Sequence, residues 1–448
     1  MEPHVVVIGG GFGGLQVVRR LARSPVQVTL LDRRNYHLFQ PLLYQVATGA
    51  LNPSDIAYPI RGAVATQQNA RVLLAEVKTI DVAKRTLGLD DGELHYDFLV
   101  LATGSTDSYF GHDAWATLAP GMKSIDDAVE IRRRVYLAYE AAEREADPVK
   151  QGEWLTFVVV GGGPTGVELA GAFGEIGLQT LAKDFRSIDP TSVRVVLCEG
   201  KDRVLLAYPP KLSAAAKVAL ERRHVDVRLD SFVTAIDSDG VTIKSKHGES
   251  RVAAHTVVWA AGVKASPLTE QLGAPLDRGG RVIVEPDLSI PGHPEVFVIG
   301  DAAKMISDGN EVPGVAQGAI QGGKHVARII AGGKRKPFHY WDKGNMATIG
   351  RAEAVVATKR VAIHGLFAWL MWWAVHIYFL VGFRNRVLVM GSWAWSWLTF
   401  KRGARLITGK VGALPAIASP ANVGRAAPPE AVRSTIAAEV SGSSRPQL

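Results

Sequence analysis

The chain has 448 residues, 47% hydrophobic and 21% charged, which suits a globular protein of about two to four domains. Its one cysteine, Cys198, excludes an intramolecular disulfide and a cysteine-held metal cluster, and no metal site is expected. The formal net charge is +8, but residues 384–448 alone hold nine Lys/Arg against two acids, so a general nucleic-acid-binding surface is excluded and a basic, membrane-facing C-terminal region is expected.

The N-terminus, MEPHVVVIGGG, has an early acid and only a short apolar run, so it does not read as a secretory signal. With the lone cysteine, this predicts a protein on the cytoplasmic side. VVVIGG then runs into GFGG, satisfying G-x-G-x-x-G with Gly9, Gly11, Gly13 and Gly14 between a strand and a helix. Glycines there let the backbone turn tightly and approach a pyrophosphate, which the helix N-terminus stabilises. Asp32 ends the next strand, 21 residues after Gly11, at the place of a ribose-binding acid. Residues 36–49, YHLFQPLLYQVATG, follow and contain no cysteine. A later strand, DFLVLATG, closes the unit at Thr103 and Gly104.

A helical stretch at about 120–150 leads to a second unit of the same design. It reads FVVVGGGPTGVELAGAF, with Gly161, Gly163 and Gly166 in the turn, then VRVVLCE ending at Glu199, then TVVWAAG ending at Gly262. The gap from Gly163 to Glu199 is 36 residues, lengthened by the insertion LQTLAKDFRSIDPTS. A carboxylate at Glu199 favours NADH over NADPH, although Arg203 nearby leaves room for a 2′-phosphate. Glu168 stands in the first turn of the following helix, either as a helix-start acid or as a carboxylate between nicotinamide and flavin. Cys198, just before Glu199, reads as a core residue.

EVFVIGDAA, with Gly300 and Asp301, is similar to the third motif of two-dinucleotide flavoproteins, in which the aspartate binds the ribityl chain of FAD. That likeness gives FAD to the first unit and NADH to the second, with Thr103 and Gly104 in the segment that closes over FAD. A helix beginning near Ala316 carries Gln317 and Gln321 on one face, two amides able to hydrogen-bond a carbonyl-bearing acceptor or simply to face solvent. Two short strands are expected around Gly344 and Gly350. Residues 361–383 hold no Asp, Glu, Lys or Arg and carry Trp369, Trp372, Trp373, Tyr378, His364 and His376. A second aromatic segment places Trp393, Trp397 and Phe400 near Lys401, Arg402 and Arg405. Together they read as an interfacial anchor on anionic lipid more than as a spanning helix. The tail, residues 412–448, is Ala/Pro/Ser/Gly-rich and is expected to be disordered.

On NYHLFQPLLYQVATG, GGGPTGVELAG, VVWAAGV, the AQxxxQ of residues 316–321, GNMATIGR and FAWLMWWAVHIYFLVGFRNR, the chain resembles the type II NADH dehydrogenases from about residue 4 to 408. These are non-pumping NADH:quinone oxidoreductases of the pyridine nucleotide-disulfide oxidoreductase-like superfamily. The resemblance implies an α/β fold with two Rossmann-like dinucleotide-binding domains of glutathione-reductase type and a C-terminal membrane-anchoring region. It implies noncovalent FAD, NADH, a membrane quinone and a homodimer. It sets Glu168 near the nicotinamide, Gln317 and Gln321 beside the quinone, and Phe39, Gln40 and Pro41 beside the flavin. No EF-hand-like insertion is present, so calcium control is not expected.

The expected organisation is an FAD domain from residues 1–120 and 283–345, a helical connector over 121–150, an NADH domain over 151–282, and a membrane-binding region over 346–411. The expected location is the cytoplasmic face of the cell membrane, held peripherally. Two other readings stand beside this one. A soluble-type NAD(P)H reductase or oxidase would lack the aromatic C-terminal segments, and a membrane-bound FAD/NADH redox sensor would show almost no turnover. A sulfide:quinone oxidoreductase needs cysteines at the flavin and is excluded by the single Cys198.

Overall fold

A computed structural model describes residues 2–399, 402–409 and 414–415. The expected tail therefore lies almost wholly outside the described residues, as do Phe400 and Lys401 of the expected anchor.

The β-branched runs between glycine turns are buried on both faces, as parallel strands require. The first sheet has the spatial order Ser289–Ile290, His293–Val298, Phe98–Leu101, His4–Ile8, Gln27–Asp32, Ala70–Leu74. All its strands are parallel except Ser289–Ile290, which pairs antiparallel with His293–Val298. The second sheet has the order Val225–Arg228, Arg194–Cys198, Thr156–Val160, Thr256–Trp259, all parallel. In each, the strand entering the glycine turn lies between the acid-ending strand and the late strand. The sequence duplication is thus a duplication of topology, and the fold is the expected two-Rossmann α/β arrangement. Ser105–Asp107 pairs antiparallel with Val263–Ala265 and ties the units together.

The connector forms the helix Ile125–Arg144. It starts sharply because Ser124 Oγ accepts the Asp127 N–H at 3.1 Å while the Asp127 carboxylate accepts the Ser124 N–H at 2.8 Å. After the second unit the chain returns through His293–Val298 and the helix Ala316–Ile330. Two helix contacts are so close that only glycine fits. A Cβ on Gly323 would lie 2.5 Å from Gly13 O, and one on Gly171 would lie 2.0 Å from Ile349 O.

The C-terminal region differs from expectation in its strands and in the length of its first helix. The two strands expected near Gly344 and Gly350 are joined by a third, giving the antiparallel sheet Asn345–Gly350, Glu353–Ala357, Ala362–His364. The apolar run from Val361 is thereby shortened, and its helix covers only Leu366–Phe379. A second helix, Phe383–Thr399, follows. Among the described residues no helix is long and apolar enough to cross a membrane.

Each helix buries residues four apart: Ala368, Trp372 and His376 in one, Asn385, Val389 and Trp393 in the other. Trp372 and Trp393, expected at a lipid surface, therefore point into the protein. The opposite faces expose Phe367, Tyr378, Phe383, Trp395 and Leu398. Arg402 and Arg405, expected to meet anionic lipid, instead pair with Glu175 at 3.5 Å and with Asp184. Arg402 also donates to Thr48 O at 3.1 Å, so the segment after the second helix is clamped to the body of the protein.

Replacing Gly171 by Ala should destabilise the protein by about 2 kcal/mol, because its methyl collides with backbone that cannot yield cheaply. Thermal unfolding of Gly171→Ala should show a midpoint several degrees below that of the parent.

Candidate active site

A cavity of about 1090 Å³ opens where the two units and the C-terminal helix meet. Gly9, Gly11, Gly13, Asp32, Phe39, Gln40, Pro41, Thr103, Gly104, Glu168, Gly300, Asp301, Ala316 and Gln317 all line it. Gly9 has φ +103°, and a Cβ there would lie 2.4 Å from Ala102 O. Gly14 is behind the wall, where a Cβ would lie 1.9 Å from Gly9 O. Gly11 and Gly104, by contrast, face open space.

Asp32 accepts the N–H of Gly10 at 2.6 Å and of Arg34 at 2.7 Å. Burial raises its carboxyl pKa, and these N–H groups oppose the rise. The Thr103 hydroxyl is buried with no hydrogen-bond partner among the described residues. Asp301 accepts from Ser105 Oγ at 2.9 Å, and Ser105 Oγ in turn accepts from Lys123 Nζ at 3.2 Å. An open glycine turn, a pinned acid and an orphaned hydroxyl fit a flavin dinucleotide.

The second turn repeats the first. Gly161 has φ +109° and a Cβ there would lie 2.5 Å from Ala260 O, while one on Gly166 would lie 1.8 Å from Gly161 O. Gly163 faces open space. Glu199 accepts the N–H of Gly162 at 2.6 Å and of Lys201 at 2.8 Å, as Asp32 does in the first unit. Arg203 lies 3.6 Å from Asp202. Gly262, expected at the end of the late strand, lies just beyond it, where a Cβ would be 2.5 Å from the ring of Phe110. These five, Gly161, Gly163, Gly166, Glu199 and Gly262, lie outside the large cavity. The helix they introduce does reach it, through Pro164, Thr165 and Glu168.

Burial pushes the Glu168 carboxyl up to about 8, opposed only by the Thr348 N–H at 3.4 Å. It is thus a protonated acid at neutral pH. Cys198 is a core residue whose thiol burial pushes up to about 12, and it does not line the cavity.

The structure separates the two glutamines. Gln317 lines the cavity, whereas the Gln321 amide is spent on the backbone of Trp341, donating to its carbonyl at 3.0 Å and accepting its N–H at 2.9 Å. Sequence reasoning placed them together because residues four apart share a helix face, but a loop 20 residues on covers one of them. It missed Tyr44, Lys343 and His376, which also line the cavity. His376 donates from Nδ1 to Trp372 O at 2.6 Å and meets Phe39 edge-on at 6.1 Å. Burial depresses its pKa to about 4, so the imidazole is neutral. The four-residue spacing of Ala368, Trp372 and His376 was the available signal.

Because the folded-state pKa of Glu168 lies above its unfolded value, its contribution to stability is full at acid pH and is lost as pH rises towards about 8. Melting midpoints measured between pH 5 and pH 8 should therefore rise for Glu168→Gln relative to the parent as pH increases.

The sequence profile of the pyridine nucleotide-disulphide oxidoreductase family matches residues 3–323. The chain is 47% identical over 426 residues to the type II NADH:quinone oxidoreductase NdhA of Mycobacterium tuberculosis, covering 91% of this chain and 90% of that one. It is 31% identical to a type II NADH:quinone oxidoreductase of Staphylococcus haemolyticus, over 78% of this chain and 88% of that one. The solved structure of NDH2 from Plasmodium falciparum in complex with NADH shares the fold, with a TM-score of 0.80 at 19% identity, covering 88% of this chain and 98% of that chain. With duplicated nucleotide units around one thiol-free cavity, the chain belongs to the pyridine nucleotide-disulphide oxidoreductase family and, within it, to the type II NADH:quinone oxidoreductases.

Proposed function

We propose that the protein oxidises NADH and reduces a membrane quinone without pumping protons, using a noncovalently held FAD in the first unit and NADH in the second. The observation that carries this reading is the joint wall of the cavity. One side comes from the first glycine turn, one from the start of the second-unit helix at Glu168, and one from the C-terminal helix at His376. When bound, the flavin supplies two-electron chemistry, taking a hydride equivalent from NADH and passing both electrons to the quinone.

The chain's own groups orient and protonate. Asp32 and Glu199 hold the riboses, and Asp301 the ribityl chain. Phe39, Gln40 and Pro41 pack beside the flavin where disulfide reductases keep their cysteines. Glu168 holds a proton at its carboxyl at neutral pH, next to where the nicotinamide arrives. Gln317 donates its amide to a quinone carbonyl. Gln321 keeps the Trp341 loop on the helix and so shapes the same wall.

In this reading the FAD domain comprises residues 1–120 and 283–345, the NADH domain 151–282, and the membrane-binding region 346–411. The exposed apolar faces of the two C-terminal helices support a peripheral seat on the cytoplasmic face of the cell membrane. Anionic lipid meets Arg384, which is exposed beside Phe383, and the working unit is a homodimer.

The test is oxidation of NADH and of NADPH by FAD-loaded protein, with and without a short-chain quinone. Fast quinone-dependent oxidation of NADH alone is expected. Gln317→Ala should lower kcat/KM for quinone about tenfold while leaving the rate of flavin reduction by NADH unchanged. Flavin reduction without quinone turnover would refute the acceptor.

A further inference from the structure

Tyr44 borders the cavity and is 7% exposed. Its hydroxyl oxygen accepts a hydrogen bond from Gln45 Nε2 at 2.8 Å. The Gln45 amide cannot turn over. Its Oε1 accepts the indole N–H of Trp393 at 2.6 Å, and an indole nitrogen only donates. The amide oxygen must therefore face Trp393, and the NH₂ must face Tyr44. Tyr44 is left with its own O–H proton, for which no described residue provides an acceptor within hydrogen-bonding distance. Burial keeps the phenol from ionising. A buried donor without an acceptor is costly, and the cavity is where Tyr44 can find one.

We propose that Tyr44 donates this hydrogen bond to a carbonyl oxygen of the quinone, with Gln45 as the positioning residue and Trp393 as the group that fixes its direction. The inference rests on the quinone reading above and names a contact within it. A quinone is a flat ring with carbonyl acceptors and no donor, so it complements a fixed O–H set among aromatic rings. Tyr44 meets Trp372 of the C-terminal helix edge-on at 6.5 Å, and His376, one turn further along that helix, stacks on Trp372 at 4.2 Å. This is the side of the cavity built by the C-terminal helices, whereas the nicotinamide reaches it along the second-unit helix. The chain Trp393–Gln45–Tyr44 thus sets the polarity of a site more than one side chain away from the indole.

The test uses the FAD-loaded full chain in detergent with a short-chain quinone, so that membrane docking plays no part. In Tyr44→Phe, bleaching of the flavin by NADH should keep its parental rate, while reoxidation by quinone should fall about tenfold or more. Trp393→Phe keeps a ring but removes the N–H that holds the amide. Gln45 can then offer its oxygen to Tyr44 and draw the phenolic proton away from the cavity. Reoxidation should slow in the same direction, and the double variant should be no slower than Tyr44→Phe alone. Undiminished reoxidation in Tyr44→Phe would overturn the proposal, as would equal slowing of both half-reactions, or full additivity of Trp393→Phe with Tyr44→Phe. Absence of quinone-driven reoxidation in the parent protein would instead overturn the quinone reading beneath it.

Discussion

Four helices begin at one cavity, and the chemistry of the site depends on that convergence. Phe12–Arg20, Pro164–Glu175 and Ala316–Ile330 each start with no side-chain cap and no acid in the first turn, Glu168, expected there, lying further along its helix. No side chain of their cap residues answers their first N–H groups, and the positive ends of their dipoles face the cavity. Ile125–Arg144 is the contrast: Asp126 and Asp127 occupy its first turn, and Ser124 caps it. Three uncapped starts suit anionic groups of a bound cofactor or substrate. The fourth start is finished by its own side chains and serves as scaffold.

Holding those starts together takes contacts without side chains. Gly323 lies on the Gly13 carbonyl, so the helices Phe12–Arg20 and Ala316–Ile330 touch backbone to backbone. Gly171 does the same on Ile349 and brings the second unit's helix against the C-terminal sheet. The buried ion pairs of Glu175 with Arg223, at 3.1 Å, and with Arg402, at 3.5 Å, lie at the far end of that helix. A carboxylate shared by two arginines and accepting the Arg351 N–H at 2.6 Å has its charge fully answered, which is what burial of such a group demands.

Much of this was legible in the sequence because nucleotide turns are local. Glycine spacing, a following helix and an acid at the end of the next strand are set by a few neighbouring φ values and one pair of N–H donors, and both Asp32 and Glu199 are held as that logic predicts. The C-terminal segments were less legible because their aromatic residues carry no label for inside or outside. Composition groups Trp372, Trp393, Trp395 and Trp397 as one anchor. Packing divides them: Trp372 and Trp393 turn into the core, whereas Trp395 and Trp397 stay exposed, although Trp397 is only four residues from Trp393. Arg402 and Gln321 mislead for the same reason. Their partners, Glu175 and Trp341, are distant in the chain or supplied by a loop, and no periodicity in the neighbouring sequence announces them.

The strand order of the first sheet also bears on how the protein is made. Its central strands come from residues 4–101, but His293–Val298, which pairs with Phe98–Leu101, is translated almost two hundred residues later. The second sheet, drawn wholly from residues 156–259, is complete before that. During synthesis the second unit can therefore close while the first still waits for an edge, and the apolar strand Phe98–Leu101 lacks one neighbour in the interval. The first sheet is in this sense closed late, only after the segment just before Asp301 has been released.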